Sequence, residues 1–326
     1  MAGFPVQLVL PQPDGPTLLV VVDTEEEFDW NAPFDPASTS VANIACQHLA
    51  QQAFDAHGIV PTYAVDYPVA TTPEAVAVLR PMQEAGRCEI GAHLHPWVNP
   101  PAEEAINARN SYACNLPLPL LRRKLEALTE AIRAAFGRAP LLYKAGRYGA
   151  GPETPGLLRS LGYRADASVV PHTDFSADGG PDFQAMPDQP FLAAEGVLEL
   201  PLSVGFVGRA AAAGPRLFPV LERARRLRLP GIAARLGLLE RLRLSPEGHT
   251  LDDMVRQTKA ALARGQHYFA LTYHSSSLMP GGSPYSRTLA ERDRFVETLT
   301  RYLQFFLALP AARTTSARKL ADILLS

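Results

Sequence analysis

The residues best suited to chemistry sit just after short apolar runs. His93 and His95 follow the run Glu-Ile-Gly-Ala. In a strand, alternate side chains share a face, so the two imidazoles would point the same way at a spacing that suits one metal ion. A hydrogen-bonded pair of core histidines is the alternative. The run LLVVVDTEEEFDW places Asp23 directly after five apolar residues. A carboxylate buried there needs a partner, which Lys144 or Arg147 of the stretch YKAGRYG could supply, as could a metal. Asp23 and Glu25 share a face by the period of two, so one can act as base while the other binds metal. Glu26 and Glu27 read equally well as part of a solvated loop. Two neutral histidines and one carboxylate leave coordination positions open for water, the pattern of a catalytic zinc-type site. His274, after FALTY, suits a general acid on the far side of such a site, with a structural histidine as the alternative. Asp166 closes the run YRAD, and Trp97 and Tyr148 flank these motifs with rings that either stack on a sugar or plug the core. No GxSxG nucleophile elbow is present.

Positioning these groups on one rim requires a particular architecture. Helical patterns over Thr39–His57, Pro73–Ala85, Leu118–Phe136, Pro152–Leu161 and Leu251–Arg264 each stop at a glycine, and an apolar run follows. Such alternation predicts a parallel sheet with crossover helices. Adding LLVVVD (18–23) and VLELPLS (197–203) gives about seven strands, which favours a closed or nearly closed barrel. In a parallel barrel the C-terminal strand ends meet on one face, where active sites form. Residues 205–249 interrupt the rhythm with nine Arg and three Glu. They read as a basic helical insertion with amphipathic helices over 217–229 and 232–244, within one domain spanning 1–326.

Composition bounds the function. Hydrophobic residues make up 47% and charged residues 20%, which excludes a disordered, coiled-coil or collagen-like chain. A net charge of -2 disfavours nucleic acid as partner, and the Arg cluster lacks interleaved aromatics. Three cysteines without CxxC spacing give neither a disulfide framework nor a zinc knuckle. The first basic residue after the N-terminus is Arg80, so no secretory leader is expected, and the apolar run near the start is too short to span a membrane. The expected location is the cytoplasm.

Taken together and in order, VVDTEEEFDW, GAHLHPW, YKAGRYGAG, YRADASV and ALTYHSSS resemble the motifs of the polysaccharide deacetylases of the NodB-homology type (carbohydrate esterase family 4). The resemblance spans roughly residues 17–310 and is closest to the branch found in bacterial cell-surface polysaccharide synthesis. It implies an α/β fold, a distorted (β/α)7 barrel. It implies one divalent metal, zinc by preference, on His93 and His95, with Asp23 as catalytic base and His274 as general acid. It further implies that Asp166 orients His274 and that the Lys144–Arg147 stretch braces the base and forms the groove. Three departures stand out: Asp23-Thr24 replaces an Asp-Asp pair, so Glu25 takes the carboxylate ligand's place, with Glu26 as runner-up. His-x-His replaces His-x-x-x-His, with Trp97 at the later position, and Lys144 replaces an arginine. The implied activity is removal of an N-acetyl or other N-acyl group from an amino sugar, one carried on a nucleotide or a lipid pyrophosphate. The Arg-rich segment would engage those phosphates or the inner membrane surface, or is a solvated helical insertion packed on the barrel. The rival readings are a deformylase of a lipid-linked amino sugar, a metal-free amidohydrolase and a non-catalytic sugar-binding barrel.

Overall fold

The computed structural model describes residues 6–8, 15–193 and 195–325. Most of the N-terminal stretch read above for a leader lies outside the described residues. Strands β1 (Val6–Leu8), β2 (Thr17–Thr24), β3 (Thr62–Val65), β4 (Glu89–Leu94), β5 (Leu142–Ala145), β6 (Ala165–Asp166), β7 (Phe191–Ala193) and β8 (Leu198–Glu199) join one sheet with β11 (Tyr268–His274) and β12 (Arg313–Thr315). Its order is β1-β7-β8-β6-β5-β4-β3-β2-β11, with β12 also pairing β2. The run from β8 to β11 is parallel throughout and has seven strands, as the sequence leads one to expect. β7 and β1 add an antiparallel edge.

Helices α1 (His48–Ala56), α2 (Tyr67–Thr71), α3 (Pro73–Glu84), α4 (Leu118–Phe136), α5 (Thr154–Ser160), α8 (Leu251–Ala263), α9 (Leu289–Leu307) and α10 (Ala317–Leu324) cover the sheet. The helix expected over Thr39–His57 is wound as 3₁₀ over Ala42–Gln47 before α1 begins.

The core has two layers, and the strand alternation decides which residue enters which. Leu18, Val20 and Val22 of β2 pack outward with Leu125 of α4 and Leu299 of α9. Leu19 and Val21 pack inward with Ala64 of β3, Leu142 of β5 and Ala270 of β11. Counting on by two from the inward set reaches Asp23 on β2, Lys144 on β5, and Thr272 and His274 on β11. On β4 the outward set is Ile90, Ala92 and Leu94, so His93 faces inward.

Residues 205–249 hold β9 (Val204–Val207), α6 (Gly214–Arg223), α7 (Leu229–Arg235) and β10 (Glu240–Arg243), with β9 and β10 forming an antiparallel pair. Both amphipathic helices expected here are therefore corrected: the one over 217–229 breaks after Arg223, with Arg228 left-handed at φ 57° before α7, and the one over 232–244 ends early. α7 stops at Arg235, Gly237 turns the chain at φ 62°, and residues 240–243 become a strand.

Candidate active site

At the top of the barrel interior, β2 and β11 pair in register so that Asp23 lies opposite His274, and β4 and β5 place His93 opposite Lys144. The four groups thus come from four strands but share one face. Asp23 is buried and ion-paired to Lys144, whose Nζ lies 2.5 Å from Asp23 Oδ1 and donates to Thr272 Oγ1 at 2.8 Å. Burial alone would raise the Asp23 carboxyl. The charge of Lys144 beside it overrules burial and holds it down at about 2. Lys144 therefore favours the ionised form of Asp23.

His93 and His95 have their ring nitrogens sorted. His93 Nδ1 lies 3.0 Å from the Lys144 carbonyl oxygen, which can only accept, so Nδ1 carries the proton. His95 Nδ1 lies 2.7 Å from Glu26 Oε2. Both Nε2 atoms are then left with lone pairs, 3.1 Å apart and facing each other. Glu25 Oε2 lies 3.3 Å from one and 3.5 Å from the other, and Glu25 Oε1 is buried with no hydrogen-bond partner among the described residues. Three possible ligand atoms converge, and burial, with Glu26, Asp23 and Asp66 nearby, raises the Glu25 carboxyl; a cation joining them would offset that cost and hold Glu25 ionised. Burial also keeps both imidazoles neutral, with His95 lowered to about 4, as ligands must be. Glu25, His93 and His95 thus form a buried group that fits a metal ion.

Glu26, Asp66 and His95 make a second cluster of possible ligands, but its atoms are already committed. Glu26 Oε1 accepts from Trp97 Nε1 at 2.8 Å and Oε2 meets His95. Asp66 accepts from the Glu26 and Val69 backbone N–H groups, the latter capping α2. Glu26 therefore orients His95 rather than facing the Nε2 pair. Trp97, at the position where the resembling family carries a second histidine, stacks on His95 at 4.2 Å between ring centroids and holds Glu26. Gly146 makes this packing possible: a Cβ there would stand 2.2 Å from His95 Cδ2.

One expected role moves to another residue. Asp166 pairs in register with Tyr143 and Glu199, on the outward face of the sheet, while its neighbour Ala165 packs inward. Asp166 accepts from the Ser168 backbone N–H at 2.9 Å and from the Ser168 hydroxyl, and it does not bond His274. His274 Nδ1 instead lies 2.9 Å from Glu247 Oε2, and Glu247 Oε1 accepts from the His274 backbone N–H and Ser277 Oγ. Burial would raise Glu247, but His274 and Arg243 beside it bring it below the usual carboxylate range. With Nδ1 so held, His274 Nε2 points back to Asp23 Oδ2 at 3.6 Å.

Arg147 does not touch Asp23 either. It donates to Ser111 Oγ at 2.5 Å and lies over the Tyr112 ring at 4.1 Å, on the wall of the groove. Lys144, not Arg147, is the side chain that donates to Asp23. Arg147 and Tyr148 both have positive φ, 53° and 60°, which turns the chain sharply after β5. Tyr148 stacks on Phe175 and its hydroxyl accepts from Arg243 Nη1 at 2.8 Å.

The cavity above these groups measures about 370 Å³, within the range of small-molecule sites. Besides the groups named, Phe28, Trp30 and Tyr285 line it, and the Trp30 ring meets His274 edge-on at 4.9 Å. Sequence reasoning missed Glu247, Trp30, Phe28 and Arg243. Trp30 and Phe28 carried a usable signal, since both lie in the acidic run after Asp23.

No protein-family profile and no curated protein matches the sequence. Solved structures do match in fold. A protein from Mycobacterium smegmatis assigned as a polysaccharide deacetylase superposes with a TM-score of 0.56 at 18% identity, over 99% of this chain and 95% of that one. A protein from Parabacteroides distasonis assigned as a glycoside hydrolase or deacetylase gives 0.62 at 12% identity, over 96% of this chain and 72% of that one. An allantoinase gives 0.51 at 15% identity, over 98% and 97%. The chain has the fold of the polysaccharide deacetylases.

Proposed function

We propose that the protein is a metal-dependent hydrolase that removes an N-acetyl, or another N-acyl, group from an amino sugar during bacterial envelope polysaccharide synthesis. The observation that carries this reading is the placement of Asp23 and of His274, 3.6 Å apart, on the wall of one cavity that Glu25, His93 and His95 also line. A binding module has no use for a base facing an acid beside three convergent ligands.

Amide hydrolysis needs an activated water, a stabilised oxyanion and a protonated leaving amine. Glu25, His93 and His95 would hold the ion, zinc by the chemistry of the donor set. When bound, such an ion supplies Lewis acidity, polarising the acyl oxygen and lowering the pKa of water towards about 7. Asp23 takes the proton from the attacking water, and Lys144 keeps that carboxylate ionised and aimed. His274 gives a proton from Nε2 to the nitrogen as the C–N bond breaks, while Glu247 holds Nδ1–H and stabilises the charged ring. The backbone N–H groups at Arg147 and Tyr148 would help hold the oxyanion. Acetate and the free amine leave.

The Arg-rich segment supports a peripheral contact with an anionic membrane. Leu217, Val220, Leu227 and Leu236 are 45–70% exposed there, beside exposed arginines 216, 223, 225, 226, 228 and 235. Apolar side chains interleaved with cations on short helices suit an interfacial site. No helix among the described residues is long and apolar enough to cross a membrane. Sedimentation with phosphatidylglycerol vesicles should show binding that weakens with salt; no binding at low salt removes the membrane from this account.

Acetate release, followed by proton NMR from N-acetylated amino sugars in the presence of zinc, tests the activity. Release matched by free amine, and lost in Asp23→Asn, is the expected result. Formate released from N-formyl analogues alone would make it a deformylase, and no release from either would overturn the hydrolase.

A further inference from the structure

A second cavity of about 370 Å³ lies beside the first, and Tyr148, Phe175, Arg243 and Tyr285 line both. Its floor is basic. Arg241 and Arg243 are two residues apart on β10, so they present to one face. Neither forms a salt bridge among the described residues, although both are largely withdrawn from solvent. Arg241 donates from Nη1 to the His172 carbonyl at 2.7 Å and stacks over the Phe218 ring at 4.8 Å. Arg243 donates from Nη1 to Tyr148 Oη. A guanidinium has five N–H donors, so each keeps donors in hand. The one carboxylate on the cavity wall, Glu247, is taken up by His274 and Ser277. His249 adds no anion: its Nδ1 faces the Glu247 carbonyl.

The Glu247 charge offsets part of that of Arg243, but neither guanidinium has a carboxylate at ion-pair distance among the described residues, so the wall keeps donors for an anion. A tetrahedral oxyanion matches their fork geometry and offers each more than one acceptor. The cavity is far larger than a carboxylate needs. We infer that this second cavity is a phosphate subsite: Arg241 and Arg243 hold a phosphate group of the substrate while its acylamino group lies in the first cavity against Asp23 and His274. The second half of that statement rests on the proposed hydrolase; the first does not. Because both arginines sit on β10 of the 205–249 segment, that segment would contribute recognition as well as surface.

Calorimetry with N-acetylglucosamine 1-phosphate, UDP-N-acetylglucosamine and neutral N-acetylglucosamine tests this on the full chain. The wild type should bind a phosphorylated sugar at least about tenfold more tightly than the neutral one. Arg241→Gln should bring that ratio to about twofold or less, with acetate release from neutral sugar unchanged. Arg241→Lys, which keeps a cation, should retain an intermediate preference and shows whether loss in the first variant reflects lost charge. Tighter binding of the nucleotide sugar than of the 1-phosphate assigns the phosphate to a nucleotide; equal binding assigns it to a carrier whose terminal phosphate alone is read. Equal affinity for charged and neutral sugars in the wild type, or an undiminished preference in Arg241→Gln, overturns the subsite. Preference without acetate release from any sugar leaves the subsite standing and overturns the hydrolase instead.

Discussion

The two halves of the barrel build their shares of the site in different ways. From β2 to β5 the strands are four to eight residues long, pair in continuous register and deliver Asp23, His93 and Lys144 by simple alternation. From β6 to β8 the strands shrink to two or three residues, and the chain then leaves the sheet for β9, α6, α7 and β10. That half supplies Glu247 and Arg243 from loop and hairpin. The lesson is that the groups proposed to react stand on the regular half, where strand geometry fixes them, while those proposed to tune and recognise come from the irregular half, where insertions can change them without disturbing the barrel.

Substitutions on the two sides should therefore differ in size and kind. Asp23→Asn keeps shape but removes the base, and acetate release should fall by about 10³-fold or more with little change in KM. Glu247→Gln, on the irregular side, should cost about 10²-fold in kcat by loosening His274. Asp166→Asn should leave kcat within about threefold, because Asp166 faces outward. A larger loss in Asp166→Asn than in Glu247→Gln would reverse the assignment of the two carboxylates. Glu26→Gln should leave the ligand set intact yet weaken zinc binding by about 10–100-fold, measured by competition with a chelator.

A smaller effect concerns stability. Burial raises the Asp166 carboxyl to about 7, although its bonds from Ser168 pull the other way. Its folded pKa thus lies above the unfolded value, so the folded state binds more protons between the two. The stability this contributes is present below about pH 4 and is lost as pH rises through about 7. Thermal melts of Asp166→Asn should accordingly gain on the wild type by about 2 °C or more between pH 5 and 8, and equal pH slopes would contradict the outward-facing, buried placement.

The same contrast explains what the sequence reveals. The regular half is legible because an apolar run of known period tells where the next side chain points: Asp23 after LLVVV, His93 within EIGAHL and His274 after FALTY all take their place by counting in twos. α4 is legible to the residue, since Leu118–Phe136 ends at Gly137 with φ 77°. Asp166 misleads because β6 has only two residues, too few for alternation to declare a face. Glu247 is invisible because its position depends on a hairpin packed across β11, and nothing in Ser-Pro-Glu-Gly specifies a partner twenty-seven residues on. The strand over Glu240–Arg243 is hidden by residues that favour a helix equally well. The division of labour between Glu25 and Glu26 was likewise open, since adjacent residues leaving a strand take their directions from the packing of Trp97 and Asp66.

The proposed hydrolysis stands on Glu25, His93 and His95 holding one metal ion beside Asp23. Elemental analysis of the tag-free protein, purified with zinc supplied, tests it directly in the wild type, in Glu25→Ala and in the His93→Ala/His95→Ala double variant. The account expects about one ion per chain in the wild type, a reduced share in Glu25→Ala and none in the double variant. A wild type without metal, or a double variant that keeps its ion, would contradict it.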